Sequence, residues 1–164
     1  MRLLLTCLLF GGVPAMALAD VSGRVVHVHD GDSLTVIDQG KKLRVRLAGI
    51  DAPELSQPYG WKALRSLAKL CRGKEATLVE RGKDEDGGLL ASVACAGSGG
   101  EKTDASAEQV KKGLAWVFRT YLPLGSPLYE METSARLLQK GLWKDKEPVP
   151  PWEWRKTHPA AAKH

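Results

Sequence analysis

The chain has 164 residues, 43% of them hydrophobic, with 24 Lys and Arg against 19 Asp and Glu for a net charge of +5. That length suits one domain around one core, and the apolar run at residues 3–10 falls short of the roughly 20 residues a membrane-spanning helix needs. The modest positive charge is compatible with a polyanionic partner without demonstrating one.

Met1 and Arg2 precede that apolar run, and Ala17-Leu18-Ala19 follows it. A basic start, a short apolar core and a small-residue site predict a secretory signal peptide over residues 1–19. The mature chain then begins near Asp20 as a domain over residues 20–147 with a tail over 148–164. The expected location is outside the cytoplasm, in a bacterial periplasm or the medium, with no membrane anchor. Losing the leader removes Arg2 and leaves 23 of the 24 basic residues against 19 acidic ones, or +4. It also removes Cys7. Cys71 and Cys95 remain, an even pair that in an exported chain predicts a disulfide. Two cysteines with no histidines at ligand spacing make a poor zinc site.

Residues 21–28 and 33–37 alternate in the manner of strands around Asp30-Gly31-Asp32, a turn signal. A second turn at residues 39–42 leads to a third strand at 43–47. Pro53 breaks the pattern, and residues 60–70 show helical spacing, with Trp61, Leu64, Leu67 and Ala68 apolar and Gly73 as the stop. Residues 75–80 and 89–94 read as strands around a polar loop. Residues 106–112 read as a short helix and 114–118 as extended. Residues 127–140 predict a longer helix with Leu128, Met131, Ala135 and Leu138 inward and Glu130, Glu132, Arg136 and Lys140 outward. In the tail, Trp152 and Trp154 would tack the first part onto the domain, and the Ala-rich end is expected to be disordered. Five short strands, a helix after the third and two at the end predict a small α+β barrel.

The informative segment runs from Asp30 to Glu54. If its strands are neighbours, Asp32, Asp51 and Glu54 converge at one end of the sheet. Each alone reads most simply as a solvated turn residue; together they repel and call for a cation, and all-oxygen ligation suits Ca²⁺ or Mg²⁺. Arg46, one strand step away, has the planar donors that hold a phosphoryl oxygen. His27 and His29 share a strand face but show no third ligand, and Tyr59, Trp61 and Trp116 read as packing aromatics.

His29-Asp30-Gly31-Asp32-Ser33 and Arg46-Leu47-Ala48-Gly49-Ile50-Asp51-Ala52-Pro53-Glu54 resemble the two signature segments of the staphylococcal nuclease family. Gly113-Leu114-Ala115-Trp116-Val117 and Lys140-Gly141-Leu142-Trp143 also look like it, so the resemblance covers nearly all of residues 24–145. It implies a five-stranded OB-fold barrel with three α-helices and a Ca²⁺-dependent phosphodiesterase acting on DNA and RNA, here expected to be a monomer. By position, Asp32 and Asp51 would bind calcium through carboxylates and Ala52, where the family often has Thr, through its carbonyl. Glu54 would be the general base, and Arg46 would hold the phosphate.

The sequence departs from the family in one loop. The family places a second arginine there, in a pattern like D-[KR]-Y-G-R; here Asp84-Glu85-Asp86-Gly87-Gly88 puts Gly88 at the arginine position. A later tyrosine pair becomes Arg119 and Tyr121. Arg119 is thus a candidate for the missing charge and Tyr121 for substrate contact. Losing one preorganised charged donor costs roughly 10²–10³ in turnover. The expectation is a slow or altered nuclease; the alternative is an OB-fold module that binds nucleic acid or another anion without cutting it.

Overall fold

A computed structural model describes residues 21–84 and 86–159. The predicted leader, Glu85 and the Ala-rich end lie outside the described residues, as does the side chain of Tyr121.

The first two alternating segments form β1 (Val21–Val28) and β2 (Ser33–Asp38), paired antiparallel with an irregularity between Val25 and His27. Gln39 and Gly40 take φ of 46° and 81°, a turn whose twist suits a tight hairpin. It leads into β3 (Lys41–Leu47), which sets Arg46 opposite Ser33. The short β4 (Ile50–Asp51) follows, then α1 (Gly60–Cys71), β5 (Glu75–Lys83) and β6 (Leu89–Ala96). β5 pairs antiparallel with β1 and β6, and β6 runs parallel to β3, from Val45 opposite Leu89 to Leu47 opposite Ala91. That last pairing closes β1, β2, β3, β5 and β6 into the predicted OB-type barrel.

β7 (Lys102–Asp104) extends the sheet beside β6 and ends in the cap of α2 (Ala105–Lys111), where the Asp104 carboxylate accepts from the Ala107 amide at 2.7 Å. β8 (Trp116–Val117) pairs with β4, setting Asp51 opposite Trp116. α3 (Pro127–Leu137) and α4 (Pro151–Thr157) complete the described chain. The helices therefore number four among the described residues where three are expected, the extra one arising within the segment read as a tail.

The barrel interior is filled by Val25, Leu34, Val36, Val45, Leu47, Leu78 and Val93, all essentially inaccessible. α1 closes one side with Gly60, Ala63, Leu67 and Cys71, a face of three- and four-residue steps. Trp61 falls off that face and is 56% exposed, so it is not the packing aromatic predicted. Cys71 is joined to Cys95 on β6, as expected, with Cα atoms 5.3 Å apart.

α3 also corrects the prediction. Its buried face is Leu128, Glu132 and Ala135, while Leu138 is 62% exposed. Glu132 turns inward because its carboxylate accepts from the Val117 amide at 3.0 Å and meets Arg136 at 3.4 Å. A buried carboxylate with both a hydrogen bond and an ion pair is tolerable where an unpaired one is not.

Candidate functional site

The site is built on the turn between β1 and β2. The Asp30 carboxylate accepts from the amides of Asp32 and Ser33 at 2.9 and 2.7 Å and from the Ser33 hydroxyl at 2.8 Å. Asp30 is thereby spent on shaping the turn. Gly31 is needed for closeness: a Cβ there would lie 2.5 Å from the Ala63 Cβ and 2.6 Å from the Ala52 Cβ. Its carbonyl accepts from the fully buried Gln109 side chain at 2.7 Å, which also donates to the Ala63 carbonyl at 2.9 Å. Gln109 thus ties the turn to α1 and α2, an assignment the sequence reading did not make.

The turn aims Asp32 inward, where its Oδ2 accepts from the Ala52 amide at 2.6 Å. Asp32 and Asp51 are 4% and 2% exposed. Between them reaches Arg46, its Nη2 3.1 Å from Asp51 Oδ1 and 3.8 Å from Asp32 Oδ2. Burial, with the charges of Asp30 and Asp51, pushes the Asp32 carboxyl well above the usual carboxylate range, against the pull of Arg46 and the Ala52 amide. Arg46 is held more firmly protonated, first by Asp32 and then by Asp51, although burial and Arg155 oppose this.

Glu54 stands at the start of the segment leading to α1, its amide and carbonyl bonded to the Gln57 side chain and amide. Its carboxylate meets a residue the sequence reading missed, Arg155 of α4. Arg155 Nη1 donates to Glu54 Oε1 at 2.6 Å and to Asp51 Oδ1 at 3.2 Å, and Nη2 donates to Asp51 Oδ2 at 2.6 Å. Burial works against its charge, but the bonds and charges of Asp51 and Glu54 outweigh it and raise its pKa further. The only sequence signals for it were Pro150-Pro151, which suits a helix start, and the flanking tryptophans.

These residues line one open cleft with Asp84, Asp86 and Phe118. Arg46 and Arg155 are the only cationic side chains in its lining among the described residues. Arg119 is not in that lining; its guanidinium sits over the Tyr129 ring, 5.2 Å from the centroid, so it does not fill the place of the missing arginine. Tyr121 lies in the 3₁₀ turn Arg119–Tyr121. The loop at Gly88 is closed by Asp84, whose Oδ1 accepts from the amides of Gly88 and Asp86 at 2.5 and 3.1 Å. His27 and His29 pack ring against ring at 4.5 Å, and His29 Nε2 bonds to the Thr35 hydroxyl.

The three carboxylates Asp32, Asp51 and Glu54 line one cleft, as expected, but do not gather around one point. Among the described residues no three His, Cys, Asp or Glu side chains form a metal-holding group. The pair that comes together is Asp32 and Asp51, with Glu54 reached through Arg155. Two carboxylates supplemented by main-chain oxygen and water still suit a hard divalent cation. The buried Asp32, raised in proton affinity, is the group a nearby cation would most relieve.

Comparison with known proteins gives matches over most of the chain. The family model for the staphylococcal nuclease homologue matches residues 44–145. A micrococcal nuclease of Shigella flexneri is 38% identical over 149 residues, covering 88% of this chain and 86% of its own. An uncharacterized endonuclease of Haemophilus influenzae is 37% identical over 159 residues, covering 94% and 85%. Protein ParB of Escherichia coli is 33% identical, covering 88% and 84%. With the barrel, the cleft and these matches in place, the chain belongs to the staphylococcal nuclease homologue family.

Proposed function

We propose that the protein is an exported, Ca²⁺-dependent nuclease that hydrolyses phosphodiester bonds of DNA or RNA. The observation that carries this reading is the meeting of Asp32, Asp51, Arg46 and Glu54 in one cleft. The kinship with a micrococcal nuclease supports the substrate class. The leader-like residues 1–19 and the Cys71–Cys95 disulfide support export.

Asp32 and Asp51 would hold the calcium through their carboxylates and Ala52 through its carbonyl. Bound there, the ion supplies positive charge to a phosphoryl oxygen. Arg46 donates to the same phosphoryl group and offsets the charge that grows on it as the phosphorus becomes five-coordinate. Glu54 takes the proton of the attacking water as its oxygen bonds to phosphorus and the ester oxygen leaves. Glu54 is partly open to the cleft, its side chain 17% exposed, as a base acting on water must be.

The mature protein with single-stranded DNA and CaCl₂ should release fragments, and EDTA should stop this. Glu54→Gln should slow cleavage by roughly 10²–10⁴, the usual worth of a positioned general base. Equal inertness of wild type and Glu54→Gln over days would refute the enzyme and leave an anion-binding module.

A further inference from the structure

The cleft lacks the arginine that the family's loop pattern would place at Gly88, yet it contains a second guanidinium from elsewhere in the chain. We propose that Arg155, delivered by α4, is the second phosphate-binding arginine of this site and acts with Arg46 on the scissile phosphodiester. The inference rests on the nuclease reading above.

Position comes first. Arg46 Nη2 and Arg155 Nη1 donate to the same atom, Asp51 Oδ1, at 3.1 and 3.2 Å. Two guanidinium groups that meet at one oxygen of the cleft can meet at one phosphate. Arg155 also bonds Glu54, so it stands beside the base that would activate water. A phosphoryl group within reach of that water is within reach of Arg155.

Donor capacity comes second. Of the five N–H groups of a guanidinium, the three bonds to Asp51 and Glu54 engage both on Nη1 and one on Nη2. The Nε–H and the other Nη2–H have no hydrogen-bond partner among the described residues. The side chain is 27% exposed and lines the cleft. A phosphate can therefore be bound while the carboxylates keep the group oriented.

Preorganisation comes third, since a donor accelerates a reaction in proportion to how little it must move. α4 is fastened along its length. Pro151 is fully buried, and Trp152 packs edge-on against Trp116 at 5.8 Å and near Phe118 at 5.9 Å. The Trp154 indole N–H donates to the Ser56 hydroxyl at 3.4 Å, and Gln57 Nε2 donates to the Val149 carbonyl at 2.5 Å. Two of these anchors, Ser56 and Gln57, lie in the segment that carries Glu54, so base and guanidinium are held to one frame.

Charge comes last. Asp30, Asp32, Asp51, Glu54, Asp84 and Asp86 all line the cleft. A polyanion entering there with only Arg46 to meet it would face strong repulsion. Arg155 doubles the number of cations in the lining, and Arg119 is spent on Tyr129.

The test uses the full mature chain as wild type, Arg155→Ala and Arg155→Lys. Cleavage of single-stranded DNA is followed with CaCl₂, and binding of a fluorescein-labelled oligothymidylate is followed by anisotropy in EDTA. Thermal melts check that each variant folds. Arg155→Ala should lower kcat/KM by roughly 10²–10³. Arg155→Lys should fall between, because an ammonium lacks the planar fork. In EDTA, Arg155→Ala should bind the oligonucleotide more weakly, with the slope of log affinity against log salt reduced by about 0.7, one phosphate contact on a single strand. Cleavage by Arg155→Ala at or above the wild-type rate would overturn the inference and make the guanidinium a plug over Asp51 and Glu54. If the wild type does not cut at all, the nuclease reading fails separately; unchanged binding and salt slope in EDTA would then overturn this inference on its own.

Discussion

Replacing Gln109 with leucine should destabilise the protein by about 2 kcal/mol, although the residue lies outside the cleft and Leu is close to it in size. Gln109 is 1% exposed and donates to Gly31 and Ala63 at 2.7 and 2.9 Å. Ala63 lies inside α1, so its carbonyl keeps the i+4 amide a helix supplies. The Gly31 carbonyl belongs to a tight turn, and its loss is the larger. Leaving one buried acceptor without its donor costs roughly 1–3 kcal/mol, and the second, shared bond adds little. With an m-value of roughly 1–3 kcal/mol/M for urea, the midpoint should fall by about 1 M, read by the fluorescence of the buried Trp116 and Trp143. Because Gly31 sits between Asp30 and Asp32, the same change should weaken the proposed calcium binding, seen as a smaller rise in Tm on adding CaCl₂. A urea midpoint within about 0.3 M of wild type would refute the reasoning, since the clamp on the turn would then carry no net stability.

Two further outcomes follow from the cleft. The folded state holds the Asp32 proton more tightly than the unfolded chain, whose carboxyl titrates near 3.8. The stability tied to Asp32 is therefore full below that pH and is lost as pH rises through the higher folded value. In EDTA, Asp32→Asn should melt above wild type at pH 7, with the gap closing toward pH 3; a gap that stays constant with pH contradicts the sign. Gly88→Arg should bring no gain in cleavage rate, because a Cβ there would lie 2.6 Å from Oδ2 of Asp84, the carboxylate whose Oδ1 closes the loop. Breaking that closure should cost about 1–2 kcal/mol in urea, and faster cleavage of single-stranded DNA by this variant would show that the loop readily yields.

What could be read from sequence was what local chemistry dictates. The Asp-Gly turn, the alternation of residues 43–47 and the spacing from Arg46 to Glu54 place four site residues because their neighbours in the chain hold them. Glu132 was read as outward because a helix face is assigned by polarity, whereas its inward turn depends on the Val117 amide, a donor whose need of an acceptor is visible only in three dimensions. Trp61 was misread for the opposite reason, its apolar character outweighing its phase on α1. Arg155 was the hardest to see. It lies 104 residues from Asp51, and no periodicity links a cation at such a distance to a carboxylate pair. Gly88 told of a missing charge in the family's loop, but not of a cation supplied by another element.

That separation also sets a schedule. Chains are made from the N-terminus at roughly 5–20 residues per second, so Asp51 precedes Arg155 by about 5–20 s of synthesis. During that interval the ribosome-bound chain holds the carboxylates, Arg46 and Glu54 but lacks the α4 guanidinium and the helix that carries it. Until Arg155 has been made, a cleft with both arginines cannot exist beside the messenger RNA being translated.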